Sequence, residues 1–368
     1  MQRSTLSLAI AVAAFALVAT PDALAKQAKP KSGHQFKGSV EVQYRSNENV
    51  SIASSSGQRF DFADSGEFGE DEEDGSDDDF GVDIFDDLLD VDPSEDEIEA
   101  DDAIDEDGDG IDDLVDPNVD NVVDEEDQFT ARLALAHRYT FANGTTTWNN
   151  GLRFATDTYN ERDDLDKFNW AVSTGFGIAP KGSRHSFRPT LSYVMLDQDD
   201  NEYSSTFVAS LGYGYRVSKR LRASATYNYQ DKDISSPSAP DARINTLEFG
   251  AEFAATQSDI FRFTVAPKVE DSTLSSRNSE SSGWEAAYTR RLPWDMTAGA
   301  GYRFSTIEYK NLTPLREDDY SVWGVQLAKS FGKQFVVEFG YESSELESNL
   351  PSKDASNDTY YLGGTWNF

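Results

Sequence analysis

Thr359-Tyr-Tyr-Leu-Gly-Gly-Thr-Trp-Asn-Phe368, the last ten residues of the chain, splits into two unlike sets when every second residue is read. Tyr360, Leu362, Gly364, Trp366 and Phe368 make one set; Tyr361, Gly363, Thr365 and Asn367 make the other. Side chains alternate across a β-strand, so this pattern marks a strand with a different solvent on each face. Aromatic residues gathered at the two ends of the apolar set are what a strand carries where it meets the two interfaces of a bilayer.

The other end of the chain fits that reading. Arg3 opens a short positive region, Leu6 to Val18 is apolar, and Pro21-Asp-Ala-Leu-Ala25 ends in a small-x-small pattern. The apolar run is too short for a membrane helix, so residues 1–25 read as a signal peptide and 26–34 as a basic periplasmic tail. No later stretch holds the roughly 18 consecutive apolar residues of a spanning helix. The absence of cysteine excludes disulfides, thiolate metal sites and a lipid-anchored N-terminal Cys. Hydrophobic content of 38% with a mean hydropathy of −0.60 suits a soluble protein. It suits equally a β-barrel, whose apolar residues are spread over alternate positions and never accumulate in a window.

Alternation recurs along the chain. Phe36, Gly38, Val40, Val42 and Tyr44 interleave with Lys37, Ser39, Glu41, Gln43 and Arg45. A second run holds Phe129, Leu133, Leu135, Tyr139 and Phe141 on one phase, with Thr130, Arg132, Arg138 and Thr140 on the other. Twelve further strands are expected near 147–158, 168–179, 186–196, 204–217, 221–231, 244–255, 260–268, 283–292, 296–307, 319–331, 334–343 and 359–368. Their connections fall into two alternating classes. One is short, as in Asn143-Gly144, Pro180-Lys-Gly-Ser183, Ser218-Lys-Arg220 and Gly332-Lys333. The other is polar and mostly longer: 47–127, 159–167, 197–203, 232–243, 269–282, 308–318 and 344–358. An even strand count with short turns on one side and long loops on the other predicts an all-β transmembrane antiparallel barrel of about fourteen strands over 35–368. A soluble β-sandwich also alternates, but explains neither loop class nor the terminal Phe.

The terminal strand, with Tyr360, Leu362, Trp366 and Phe368 on its apolar phase, resembles the C-terminal signature of bacterial outer-membrane β-barrels. That resemblance implies a place among the lipids of the outer membrane. It also implies that these four residues are an assembly signal read by the barrel insertion machinery.

With the apolar phase outward, Arg132, Arg153, Arg188, Arg216, Arg222, Arg262 and Arg303 face the lumen, as do Glu248, Glu252, Glu338 and Glu342. Inward glycines such as Gly175, Gly177, Gly212, Gly214, Gly250, Gly299 and Gly301 are expected to leave room for curvature and an open interior. His137 and Arg290 fall on the lipid phase near short turns, where snorkelling is expected.

The net charge of −35 has one source. Of the 67 acidic residues, 34 lie between Asp61 and Asp127, which holds no Lys or Arg, leaving 33 acids against 32 bases elsewhere. This segment belongs to the loop 47–127, the first extracellular loop. Within it, Asp105, Asp107, Asp109, Asp113 and Asp116 occupy positions 1, 3, 5, 9 and 12 of a twelve-residue loop. Gly110 stands at position 6, and the Ile111 carbonyl would supply the position-7 ligand. The loop resembles the aspartate-rich Ca²⁺ loops of thrombospondin type 3 repeats and EF-hand-like modules, which makes Ca²⁺ the one candidate cofactor. It departs from an EF-hand in having Asp116 where a bidentate Glu would stand. A solvated polyanion accounts for the same residues.

Enzymatic chemistry is not expected. Outer-membrane proteases and lipid hydrolases place His with Asp or Ser at the outer rim, whereas His34, His137 and His185, the only histidines, fall toward the periplasmic side. A polar lumen with arginines facing glutamates predicts a porin-like channel for ions or small solutes. Nucleic acid is not an expected partner. Two alternatives stay open. Fourteen strands with Ser46-Asn-Glu-Asn-Val50 after the first is similar to the barrel of the surface lipoprotein assembly modifier family, which implies lipoprotein export; that family's periplasmic tetratricopeptide domain is missing here. The other is a surface Ca²⁺- or cation-binding protein with the barrel as its anchor. Cleavage of the signal peptide is checked by mass spectrometry of the membrane-extracted protein. A mature N-terminus at Lys26 is expected, and a retained Leu6–Val18 segment would contradict it.

Overall fold

The computed structural model describes residues 33–47, 126–160, 166–198, 201–235, 240–350 and 353–368. The proposed signal peptide, the body of the acidic loop and the Asp105–Asp116 motif lie outside the described residues. Fourteen strands are present: β1 Gly33–Asn47, β2 Glu126–Thr140, β3 Thr146–Tyr159, β4 Lys167–Ile178, β5 His185–Gln198, β6 Asn201–Arg216 and β7 Leu221–Ile234. They continue with β8 Ala242–Ala254, β9 Asp259–Ser272, β10 Ser279–Leu292, β11 Met296–Tyr309, β12 Arg316–Phe331, β13 Phe335–Ser348 and β14 Ala355–Asn367. Each pairs antiparallel with its sequence neighbours, and β14 returns to pair with β1, closing the barrel. Closure leaves no lipid-facing sheet edge, which a bilayer would not tolerate.

Outward positions carry the apolar set. On the periplasmic side Trp148, Phe176, Phe187, Phe253, Phe331 and Phe335 are exposed to the surroundings; toward the other rim stand Tyr44, Phe129, Tyr193, Trp284, Trp323 and Tyr360. From Phe331 to Trp323 along β12 is about 20 Å of barrel height, at ~3.3 Å per residue and a tilt near 40°. That approaches the ~25 Å apolar band of an outer-membrane barrel.

The strands run further than their alternation suggested. β9 continues to Ser272, β10 starts at Ser279, and β13 ends at Ser348. These ends lie on the long-loop side, where both faces of the sheet meet water, so polar residues no longer alternate with apolar ones. Ser344-Glu-Leu-Glu-Ser348 is one such extension, invisible to an amphipathic pattern. For the same reason the expected loop at 197–203 shrinks, since β5 reaches Gln198 and β6 begins at Asn201. At the other rim β1 starts at Gly33, so the end of the expected 26–34 tail is strand, paired with β2.

The seam between β14 and β1 runs from Ser39↔Asn367 to Asn47↔Thr359 and is extended at Gly38. Gly38 N–H donates to the Phe368 carbonyl at 3.0 Å, and Phe368 N–H donates to the Gly38 carbonyl at 2.9 Å. A Cβ on Gly38 would lie 2.5 Å from Cζ of the Phe368 ring, so the terminal ring rests on the bare glycine backbone. Gly38→Val is expected to displace that ring and destabilise the folded barrel by about 1–3 kcal/mol, the usual cost of overpacking. Urea unfolding in detergent, read alongside heat-modifiable gel mobility, measures it; wild-type stability in the variant would contradict this packing.

Candidate lumen site

The register brings the inward charges together in cross-strand rows. Glu252 on β8 lies opposite Arg222 on β7 and Arg262 on β9. Its carboxylate accepts from Arg262 Nε at 3.0 Å and stands 3.9 Å from Arg222 Nη1. Arg303 on β11 donates through Nε and Nη2 to Glu285 Oε2 on β10, at 2.9 and 2.7 Å. Arg132 on β2 reaches Glu41 on β1 at 3.5 Å. Arg216 stands directly opposite Arg222, a like-charge pair with Glu252 next in the row. Like charges placed opposite one another repel, and a carboxylate beside them relieves it.

Sorted by strand, the charges separate. Arg132, Arg138, Arg153, Lys167, Arg188, Arg216 and Arg222 share the inward phase of the wall made by β2–β7, with Asp157 set among them near the extracellular end. Glu248, Glu252, Glu270, Glu285, Asp318, Glu338 and Glu342 occupy the wall made by β8–β13, interspersed with Arg262, Lys268, Arg303 and Arg316. The lumen is therefore strongly basic on one side and mixed, with a surplus of carboxylates, on the other.

Strand pairing puts the arginines and glutamates expected in the lumen on one common phase of the sheet. Glu338 accepts from Gln326 Nε2 at 2.7 Å. The sequence reading missed Glu41 and Glu285, the partners of Arg132 and Arg303. They become visible only when strand pairing is known, because each lies many residues from its arginine. It also missed Arg316 and Asp318, which pair at 2.7 Å near the extracellular mouth and are almost fully buried. Above that mouth, Lys310 Nζ bridges Glu308 and Glu280, both at 3.0 Å. Hydrogen bonds to Glu308 first, and then to Glu280, hold its ammonium above the ordinary lysine range.

Two expectations change. The inward glycines are less a source of open space than seats for neighbouring side chains: a Cβ on Gly250 would lie 2.5 Å from Ser224 Oγ, and one on Gly175 2.7 Å from Thr190 Oγ1. Gly340, not singled out in the sequence, carries the Tyr361 ring in the same way, leaving no room for a Cβ. The two polar residues on the lipid phase are not left to snorkel alone. Arg290 pairs with Asp259 at 3.5 Å, and Tyr288 donates to the same carboxylate at 2.6 Å. His137 contacts His34 and Asn150.

The terminal residues hold their expected phase. Tyr360 and Leu362 are half exposed on the outer face, and Trp366 packs against Phe368 with ring centroids 5.2 Å apart.

A closed antiparallel ring with an apolar, aromatic outer face and a charged inner face is a transmembrane β-barrel of the bacterial outer membrane. Among solved structures the chain is similar in architecture to OmpT of Vibrio cholerae, with TM-score 0.46 and 9% identity over 93% of this chain and 99% of that one. It is also similar to an anion-selective porin from Comamonas acidovorans, with TM-score 0.44 and 6% identity over 92% of this chain and 100% of that one. The TodX monoaromatic hydrocarbon channel gives TM-score 0.42 and 10% identity over 96% of this chain and 94% of that one. The sequence matches no family model and no curated protein.

The Glu285–Arg303 pair is partly buried, at 29% and 19% side-chain exposure, so its worth lies between that of surface and interior ion pairs. A double-mutant cycle with Glu285→Gln and Arg303→Met is expected to show a coupling of about 1 kcal/mol in urea unfolding. Strict additivity would mean that the pair is fully solvated.

Proposed function

We propose that the protein is an outer-membrane channel for ions or small solutes, selected by a transverse field between a basic wall and a carboxylate-rich wall. The separation of charge between β2–β7 and β8–β13 carries this reading. About eight strands suffice for a barrel to fill itself with side chains, so fourteen leave volume for water and solute. Charged groups facing one another across such an interior tune selectivity in porins. Outer-membrane lipids and the barrel insertion machinery are the partners this role requires.

In the same reading the acidic segment of 47–127 acts as a tethered cap. It carries negative charge where the nearby wall is basic, and that attraction is screened over about 8 Å at physiological salt. Ca²⁺ held by Asp105, Asp107, Asp109, Asp113, Asp116 and the Ile111 carbonyl would stiffen the cap at roughly millimolar concentration.

Planar-bilayer recording tests the proposal. Wild-type protein is expected to form discrete conducting steps, and Arg188→Glu with Arg216→Glu to shift ion preference toward cations. Deleting 61–126 is expected to raise conductance and shift preference toward anions, and Asp107→Ala with Asp109→Ala to remove any response to Ca²⁺. Folded wild-type protein without conductance overturns the channel. Unchanged conductance and selectivity in the deletion, at low and high salt, overturns the cap alone.

A further inference from the structure

On the outer face, near the periplasmic rim, side chains from four neighbouring strands join into one hydrogen-bonded row. Trp148 Nε1 donates to Thr174 Oγ1 at 3.0 Å, and the Thr174 hydroxyl donates to Asn150 Oδ1 at 2.8 Å. Asn150 Nδ2 lies 3.1 Å from His137 Nδ1, and His137 Nε2 lies 2.9 Å from His34 Nδ1. An indole can only donate, which orients the row. Asn150 then donates to His137 Nδ1, and the Nε2 proton of His137 is given to His34 Nδ1. Two imidazoles thus end the row with their ring nitrogens facing each other.

We propose that His34 and His137 form a surface site for a divalent transition-metal ion, held between His34 Nδ1 and His137 Nε2. The 2.9 Å between these nitrogens is the length of the N–H···N bond they share, so an ion enters by displacing that proton, with a small rotation of the exposed His34 ring that lets both lone pairs converge on it. Imidazole nitrogens suit Cu²⁺, Ni²⁺ and Zn²⁺, and of the three Cu²⁺ binds such sites most tightly. The rings are held in place: Phe36 packs against His137 and Tyr139 against His34, both with centroids 4.7 Å apart. His34 is exposed, which gives the ion access from the periplasmic side.

Asn150 supplies the adjustment that binding requires. The ion takes the lone pair of His137 Nε2, so the proton there moves to Nδ1. The Asn150 carboxamide turns to accept it through Oδ1, and Nδ2 then donates to Thr174 Oγ1. A hydrogen-bonding group behind the free nitrogen of a ligating histidine is the usual means of fixing its tautomer. Among the described residues no third His, Cys, Asp or Glu joins the pair, so water or lipid headgroup oxygens complete the coordination. His185 lies elsewhere, 2.7 Å from the Tyr213 hydroxyl.

The test uses the full mature chain in detergent, with millimolar Mg²⁺ and Ca²⁺ present. Carboxylates of the acidic segment prefer those hard cations, while imidazole prefers the softer metals. Titration with Ni²⁺ or Cu²⁺ is followed by calorimetry and by tryptophan emission, since Trp148 lies 6.0 Å from the His137 ring. One equivalent is expected to bind and to quench the part of the emission that Trp148→Phe removes. His34→Ala and His137→Ala should each weaken binding about tenfold or more. His34→Gln, which changes only the exposed end of the row, serves where an alanine variant fails the heat-modifiability check for folding. A folded His34 variant that binds and quenches like wild type overturns the site, as does wild-type protein that shows no such equivalent.

Discussion

Pairing of β1 with β14 from Ser39 to Asn47, extended by the two backbone hydrogen bonds between Gly38 and Phe368, closes the ring, and every other strand pairing depends on that closure. An open sheet in a bilayer would leave a full strand of N–H and C=O groups facing hydrocarbon, at several kcal/mol each. Closing the ring removes both edges at once. The terminal aromatic serves this end twice, through its backbone bonds and through a ring that fits only where Gly38 lacks a Cβ. Tyr361 over Gly340 repeats the device on the inner face of the same strand. The closing strand is thus held from both sides by rings seated on glycines of its two neighbours.

Closure also creates the inside. Once the ring is complete, the residues that alternate away from lipid are gathered into one space, and sequence-distant charges become neighbours. Glu41 and Arg132 are 91 residues apart in the chain and adjacent in the barrel. The chain places arginines on β2–β7 and most lumen carboxylates on later strands, so their meeting across the interior follows from strand order alone. The outer face obeys the opposite rule. A polar group there needs a partner on its own surface, and Arg290 with Asp259, or His137 with His34 and Asn150, shows how that is met.

The strand count, the phase of each strand and the division of turns from loops were legible in the sequence because lipid on one face and water on the other impose a period of two. Where both faces meet water that period disappears, and strand ends such as Ser344–Ser348 read as loop. The lumen arginines were legible by phase, but Glu41 and Glu285 were not recognised as their partners, because register depends on pairings the alternation does not encode. The row from Trp148 to His34 was also out of reach. His137 stood out as polar on the lipid phase, yet its neighbours come from strands β1, β3 and β4 in a register that only the closed barrel supplies.

The seam and its register are tested most directly by a cysteine pair at Glu41 and Thr365, which face each other across β1 and β14 in a chain with no other cysteine. Opposite residues in antiparallel strands lie within the Cα separation a disulfide spans. Oxidation of the membrane-inserted variant is expected to link the two strands, so that heating no longer opens the ring and the chain keeps a compact mobility until it is reduced. A pair at Glu41 and Gly363 should link far less. Equal or preferential linking of that second pair, or no link at Glu41 and Thr365 in folded protein, would contradict the closed fourteen-strand barrel in this register.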